Sequence, residues 1–326
     1  MPKKIRVGIL FGGKSVEHDI SLLSAKNVVA ALDRRKYVPV LMKIDRRGRF
    51  ALPLDAFLKK VDVVFPILHG PMGEDGTVQG MLRLANVPFV GSDVLGSAIG
   101  MDKDVMKRLL REAGLPVGPF LVFRVGESVP SYESLAKALG KTLFVKPANA
   151  GSSVGISKVK NAEELKQALA LAFRFDTKIL VERALVGREI ECALLDDDEL
   201  SVATPGEVIP TREFYSYEAK YLDEDGARLE VPARLTVRQR EAVQALAKKA
   251  FRVLEASGFA RVDFFLTDDG KWYVNEINTI PGFTGISMYP RMFAASGVSY
   301  PELIDRLLTL AIKRFEKRKK LSTSRL

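Results

Sequence analysis

Apolar positions near the N-terminus alternate over short stretches, with helical spacing between them. Residues 5–11, 38–44 and 61–67 are predicted strands, residues 15–32 and 75–85 predicted helices, and residues 89–91 a short strand. Strand and helix taking turns over the first hundred residues predict an open, mostly parallel α/β sheet. Polar residues gather after the strand ends, at Gly12, Gly13, Ser15 and Glu17 and again at His69 and Gly70. Sheets of this kind bind ligands outside the carboxyl ends of their strands.

The pattern then changes. A helix is expected to start at Asp102 and to be stopped by Gly114 and Pro116. Strands follow at 120–125, 142–146, 157–158 and 179–182, with a helix between them whose capping box runs from Asn161 to Glu164. This reads as a small α+β module. From Glu189 onward the chain is strand-rich until a long helix opens at Thr236 and stops before Gly258. The last helix is introduced by Ser299-Tyr-Pro-Glu302, a capping box with proline near its start.

Within the third region, residues 259–266 and 271–277 are two strands joined by the turn Thr267-Asp268-Asp269-Gly270. Side chains two apart on a strand share a face, so Arg261 projects with Asp263 and Glu276 with Asn278. Paired as a hairpin, one face carries two carboxylates, an amide oxygen and a guanidinium. Oxygen-only ligands suit a hard cation such as Mg²⁺. A solvated face with a salt bridge is the plainer reading, and two features oppose it. Phe264, Phe265, Trp272 and Tyr273 give the hairpin a buried character, and buried carboxylates need partners. Pro281-Gly282-Phe283-Thr284-Gly285 then follows, a loop able to bring backbone N–H groups to a ligand.

Bulk properties narrow the class. A chain of 326 residues, 47% hydrophobic and 28% charged, has the makeup of a soluble globular protein with two or three domains, each with its own core. No apolar run approaches the ~20 residues needed to span a bilayer. The start reads as a first strand rather than a signal peptide. A single cysteine, Cys192, excludes an intramolecular disulfide and fits a reducing, cytoplasmic compartment. The net charge of +10 sits at the ends: residues 313–326 carry seven basic side chains against Glu316, and Lys3, Lys4 and Arg6 add more. The body between is nearly neutral, so no nucleic-acid surface is implied and the basic run reads as a solvated helix end with a frayed tail.

Other motifs carry chemistry of their own. The string Gly8-Ile-Leu-Phe-Gly12-Gly13-Lys14-Ser15 matches a phosphate-loop spelling, but its first glycine lies inside the strand, so the match is set aside. Lys146-Pro-Ala-Asn-Ala-Gly151-Ser152-Ser153-Val154-Gly155 is the better phosphate loop: a lysine ends a strand, and small residues let N–H groups and hydroxyls converge on an anion. A surface hairpin is its plain alternative. Glu182 to Leu185, leaving a strand, can present a carboxylate or backbone groups to a purine edge, though alone it is a weak signal. Phe214, Tyr215, Tyr217 and Tyr221 surround Lys220, either as a packed surface loop or as a lid over a phosphate and a base. His18 and His69 have no cysteine or histidine at metal-ligand spacing, and no covalent nucleophile stands out.

Taken in order, these residues resemble the D-alanine–D-alanine ligases of the ATP-grasp superfamily, essentially from end to end. The likeness rests on Gly12-Gly-Lys-Ser-Val-Glu17-His18, His69-Gly70, Gly73-Glu-Asp-Gly76 and Met101-Asp-Lys103, and on Lys146-Pro with Gly151-Ser-Ser-Val-Gly155. It continues through Tyr217-Glu-Ala-Lys220-Tyr221, Arg261-Val-Asp263 and Asn275-Glu-Ile-Asn278-Thr-Ile-Pro-Gly282.

The resemblance implies an ATP-grasp fold. An N-terminal α/β substrate domain (residues 1–97) would precede two α+β subdomains (98–186 and 187–326) that grip ATP. It implies ligation of two D-alanines through a D-alanyl phosphate, for peptidoglycan synthesis in the cytoplasm, by a homodimer with no nucleic-acid or membrane partner. Lys103, Lys146 and Lys220 would meet the phosphates, with Ser152 and Ser153 in the closing loop. Glu182, Leu185, Glu189 and Phe214 would serve the adenosine; Leu185 is a hinge position whose backbone would matter. Asp263, Glu276 and Asn278 would hold two Mg²⁺ ions, with Mn²⁺ an alternative. Arg261 and the backbone of Gly282 would stabilise the oxyanion. Glu17 and His69 would take the first D-alanine, and Ser287 the second carboxylate. Ser153, Tyr221 and Glu17 would be linked by hydrogen bonds. Tyr221 after Lys220 disfavours a depsipeptide product, since relatives making D-alanyl-D-lactate typically lack it.

Overall fold

The structure is a computed structural model and describes residues 3–210 and 227–321. β1 (Ile5–Gly12), β2 (Tyr37–Ile44) and β3 (Val63–Ile67) form a parallel sheet in the order β2-β1-β3, as the strand–helix alternation predicts. Gly8 lies within β1, where a Cβ would come within 2.7 Å of the Phe57 ring, so it belongs to packing and not to a phosphate loop. Gly12 and Gly13, at φ 94° and 91°, turn the chain out of the strand. The first helix begins at His18 rather than Ser15, because the Ser15 hydroxyl accepts from the Glu17 backbone in a preceding turn. The expected strand at 89–91 is only a bridge from Phe89 to Val64. Pro88 accepts a bond but has no N–H to give, and Gly91 at φ 111° turns the chain away.

β4 (Phe120–Arg124), β5 (Leu143–Pro147), β6 (Ser157–Val159) and β7 (Lys178–Arg183) make an antiparallel sheet in the order β4-β7-β5-β6. Helices Tyr132–Leu139 and Ala162–Ala172 cover it, burying Leu135, Leu139, Leu165 and Ala168 against Val145 and Val181. The first of these helices was not foreseen; Ser131 caps it. The second starts as expected at Asn161, but the Glu164 carboxylate accepts from the Lys160 backbone and the Asn161 side chain instead of closing the box on the Asn161 backbone.

The third sheet is antiparallel throughout. β8 (Gly187–Asp196), β9 (Leu200–Val202), β10 (Gly206–Pro210), β11 (Ala227–Glu230), β12 (Phe259–Thr267) and β13 (Trp272–Asn278) follow the order β11-β10-β8-β12-β13, with β9 also on β8. Helix Val237–Val253, opened by a Thr236–Gln239 capping box, buries Val243, Ala247 and Phe251 against Cys192, Val262 and Phe264. The opposite face is divided along its length. Ala193, Leu195 and Phe259 join a core with helix Tyr300–Lys319 and with Val7, Ile9 and Phe65 of the first sheet. Toward the other end the same face turns polar, at Glu189, Glu191, Arg261 and Asp263.

The expectation of one core per region is therefore corrected. The N-terminal sheet shares its core with the C-terminal sheet, and helix Lys103–Glu112 packs Met106 and Leu110 against Ile190 and Val262. The basic C-terminal run is corrected as well. Arg314 is half-buried and donates to the Gly91 carbonyl at 2.7 Å and to the Ser257 hydroxyl at 2.6 Å. Arg318 lies 3.5 Å from Asp93, so the last helix clasps the first domain. Among the described residues no helix is long and apolar enough to cross a membrane.

Candidate active site

The β12–β13 pairing sets Arg261 opposite Asn278 and Asp263 opposite Glu276, so the predicted hairpin face is present. The next strand extends it. Register with β8 puts Glu191 opposite Asp263, so Glu191, Asp263 and Glu276 form a row across three strands. Arg261 donates from Nε and Nη2 to the two oxygens of Asp263, each at 2.7 Å, and its Nε lies 3.2 Å from a Glu191 oxygen. Asn278 gives its Nδ2 to Asp263 at 3.0 Å. Burial pulls the Arg261 pKa down, but Asp263 and Glu191 outweigh it and hold the pKa well above its ordinary value. It stays charged.

A cleft of about 830 Å³ separates this face from the central sheet. Lys103 opens its helix behind the Asp102 cap, gives its Nζ to the Ala150 carbonyl at 2.6 Å and sits 3.9 Å from Glu276. Lys146 on β5 is 3.0 Å from Glu182 on β7, and Lys107 is 3.3 Å from the other oxygen of the same carboxylate. Burial acts to raise the Glu182 pKa, yet Lys107 and Lys146 together bring it down to about 2. Burial lowers the Lys107 pKa, with Lys146 adding to the effect. Glu182, expected on the adenosine, is thus tied to two lysines. Ser152 and Ser153 have φ of 50° and 59°, two consecutive left-handed residues, and the Val154 N–H closes a turn on the Gly151 carbonyl at 3.0 Å. Both serines line the cleft with Leu185, Glu189, Phe144 and Val274, so anionic and apolar ends are available to one ligand.

At the N-terminal side the Ser152 hydroxyl donates to Glu17 in a short bond. Glu17 is buried against two glycines: a Cβ on Gly70 would come within 2.5 Å of its carboxylate, and one on Gly151 within 3.0 Å. His69 is buried with Nδ1 3.0 Å from the Ile280 carbonyl and Nε2 3.2 Å from the Ser24 hydroxyl. Burial acts to lower its pKa, but Glu74, 3.7 Å away, raises it overall; burial in turn pushes Glu74 up to about 7. The 281–285 loop is pinned by Phe283, which stacks edge-on against Phe65 at 5.5 Å and Phe259 at 5.7 Å. That anchor leaves Gly282 beside Ser287, whose hydroxyl a Cβ on Gly282 would meet at 2.8 Å. Ser287 accepts from the Thr284 backbone at 2.9 Å.

Phe214, Lys220 and Tyr221 lie outside the described residues. Lys103, Lys146, Ser152, Ser153, Glu182, Leu185, Glu189 and Glu276 line the cleft. Arg261, Asp263 and Asn278 lie on the sheet face that carries Glu276, and Glu17, His69, Gly282 and Ser287 lie on loops. Sequence reasoning missed Glu191, Lys107 and Glu74. Lys107 carried a usable signal, since it follows Lys103 by one helical turn. Carboxylate oxygens of Glu189, Glu191 and Asp263 lie within 4.8 Å of one another, a cluster that shares Asp263 with the expected metal set but contains neither Glu276 nor Asn278. With Glu276, four carboxylates there face one guanidinium and the ammonium of Lys103.

Two family models cover most of the chain: that for the D-ala D-ala ligase C-terminus matches residues 109–309, and that for the N-terminus matches 6–58 and 51–92. A D-alanine–D-alanine ligase of Oceanobacillus iheyensis is 48% identical over 99% of both chains. The D-alanine–D-alanine ligase A of Salmonella typhimurium is 47% identical over 98% of this chain and 99% of its own. Among solved structures, the D-alanine–D-alanine ligase from Coxiella burnetii superposes with a TM-score of 0.87 at 38% identity, covering 97% of this chain and 96% of that one. The VanG D-Ala:D-Ser ligase of Enterococcus faecalis gives 0.85 at 35% identity, covering 95% and 100%.

Proposed function

The chain belongs to the D-alanine–D-alanine ligase family, and from that premise we propose that it joins two D-alanines into D-alanyl-D-alanine with conversion of ATP to ADP, supplying peptidoglycan precursors. The observation that carries the reading is one sheet face, bearing Arg261, Asp263, Glu276 and Asn278, whose Glu276 lines a cleft of about 830 Å³ with Lys103, Lys146 and the serine loop. Such a cleft can hold a triphosphate and an acceptor carboxylate together.

ATP lies in this cleft in an ATP-grasp fold divided at 1–97, 98–186 and 187–326. Lys103, Lys146 and Lys220 offset the phosphate charge, and Ser152 and Ser153 close over it with their N–H groups and hydroxyls. The Leu185 backbone, Glu182, Glu189 and Phe214 bound the adenosine end. Two Mg²⁺ ions, or Mn²⁺, bound through Asp263, Glu276 and Asn278, would neutralise charge on the β- and γ-phosphates.

Glu17 anchors the ammonium group of the first D-alanine beside His69, which leaves its carboxylate to take the γ-phosphoryl group. Positioning does most of this work. The amine of the second D-alanine then attacks the D-alanyl phosphate carbonyl. Arg261 and the Gly282 N–H receive the oxyanion, a role in which one donor is worth ~2.7–4 kcal/mol. Ser287 takes the second carboxylate. Tyr221, with Ser153 and Glu17, couples loop closure to substrate capture. The enzyme works as a cytoplasmic homodimer.

The test is phosphate release from ATP and Mg²⁺ with D-alanine alone, which is expected to proceed with formation of the dipeptide. No release with D-alanine would overturn the reading. Release that depends on added D-serine or D-lactate would replace D-alanine as the acceptor.

A further inference from the structure

Two carboxylates from different strands hold Arg261. Asp263, on the same strand, binds Nε and Nη2 at 2.7 Å; Glu191, from β8, brings an oxygen to 3.2 Å of that Nε. Among the described residues no other carboxylate lies within ion-pair distance of this guanidinium. Both acids are almost fully buried, Asp263 at 1% and Glu191 at 5% exposure, so solvent screens neither contact much.

The proposed reaction asks two things of Asp263: to ligate a divalent cation and to orient Arg261. These compete. A carboxylate that donates to a dication is a poorer acceptor for a guanidinium, and the dication repels the guanidinium directly. Glu191 sits on the flank of Asp263 away from Glu276, in the same register row. Its strand is fixed from both faces, by Ile190 and Cys192 in one core and Ala193 and Leu195 in the other. We propose that Glu191 is a positioning residue, which keeps Arg261 over the reacting carbonyl when Asp263 turns to the metal. The proposal rests on the metal reading of Asp263 and refines it: one acid serves phosphoryl transfer, and its neighbour preserves the oxyanion donor for the step that follows.

The experiment compares Glu191→Gln, Glu191→Asp and Asp263→Asn with the parent protein. It measures dipeptide formed per ADP released, and the Mg²⁺ concentration that gives half of the thermal protection in the presence of ADP. Glu191→Gln is expected to lower the kcat for dipeptide roughly 10- to 100-fold. It is also expected to lower the dipeptide-to-ADP ratio: D-alanyl phosphate still forms, but water adds to its carbonyl and phosphate leaves before the amine attacks. Glu191→Asp should restore part of the ratio, and the Mg²⁺ midpoint should stay where it was. An unchanged ratio with both rates falling alongside the Tm would make Glu191 merely structural and overturn the proposal. So would a Mg²⁺ midpoint raised about tenfold with rate recovered by added Mg²⁺, which would make Glu191 a ligand. If Glu191→Gln matches the parent while Asp263→Asn is inactive, this proposal alone fails. Normal turnover by Asp263→Asn would instead remove the metal reading beneath it.

Discussion

Glu17 of the N-terminal domain accepts a hydrogen bond from the hydroxyl of Ser152, 135 residues further along the chain, in the loop of the central module. The bond ties the proposed ammonium anchor to the loop that closes over phosphate. Ser152→Ala removes it while leaving the backbone able to close. A hydrogen bond to a charged group is worth about 1.5–3 kcal/mol, so kcat/KM for D-alanine should fall roughly 10- to 100-fold. Steady-state kinetics with D-alanine varied checks this; a change confined to the KM for ATP would count against the coupling.

Gly70 makes that arrangement possible. Its φ of 75° and a Cβ-to-carboxylate approach of 2.5 Å mean that Gly70→Ala must displace Glu17. The left-handed backbone alone should cost about 1–2 kcal/mol, and D-alanine turnover should drop further than stability explains. Gly80→Ala is the control. That glycine is inside helix Thr77–Leu84 with nothing within 4 Å of its missing Cβ, and the change should add ~1 kcal/mol with activity intact. Denaturant melts and initial rates on both variants separate the two effects.

Glu182 needs both of its lysines. Lys107→Met leaves the carboxylate, only 7% exposed, with Lys146 alone. Breaking a buried pair in this way costs about 3–5 kcal/mol. The double variant Lys107→Met with Glu182→Met should lose less, because the Lys107–Glu182 pair goes as a whole and the remaining Lys146 is still attracted by Glu276 and Glu189. A double-mutant cycle by urea unfolding decides it, and additive losses would argue that the pair does not interact.

Stability should also depend on pH through Glu74, whose burial raises its pKa from an ordinary 4.5 to about 7. Between those values the folded protein binds more protons than the unfolded chain, so stability falls as pH rises across this window. Glu74→Gln should flatten that decline. Unfolding free energies measured at intervals from pH 4.5 to 7 test the sign; parallel curves for the two proteins would refute it.

Metal removal should stop turnover and Mg²⁺ should restore it. Glu276→Gln is expected to lower kcat on the order of 10³-fold, since offsetting phosphoryl charge is worth several kcal/mol. Near-normal rates in that variant would undermine the metal assignment.

Much of the site is local in sequence and could be read there. Arg261, Asp263, Glu276 and Asn278 share a face because alternation and a four-residue turn define a hairpin, and the observed register agrees. Glu191 could not be found that way. It stands between Ile190 and Cys192 in an apolar stretch, and only the long-range pairing of β8 with β12 brings it to Asp263. The Ser152 contact was equally hidden, since it joins two residues 135 apart in the chain. The helices start at His18 and Thr77, slightly later than expected, because Ser15 and Asp75 hold the turns before them by accepting from the Glu17 backbone and from the Met72 and Thr77 backbones.

The core shared by the two ends of the chain has a consequence for synthesis on the ribosome. Val7, Ile9 and Phe65 emerge first, yet Phe259, Leu303 and Leu307, which cover them, are made last. The nascent N-terminal sheet must therefore wait with an apolar flank open to water until nearly the whole polypeptide exists. The central module, whose buried cluster is drawn from residues 135–181, can finish its own packing in the meantime.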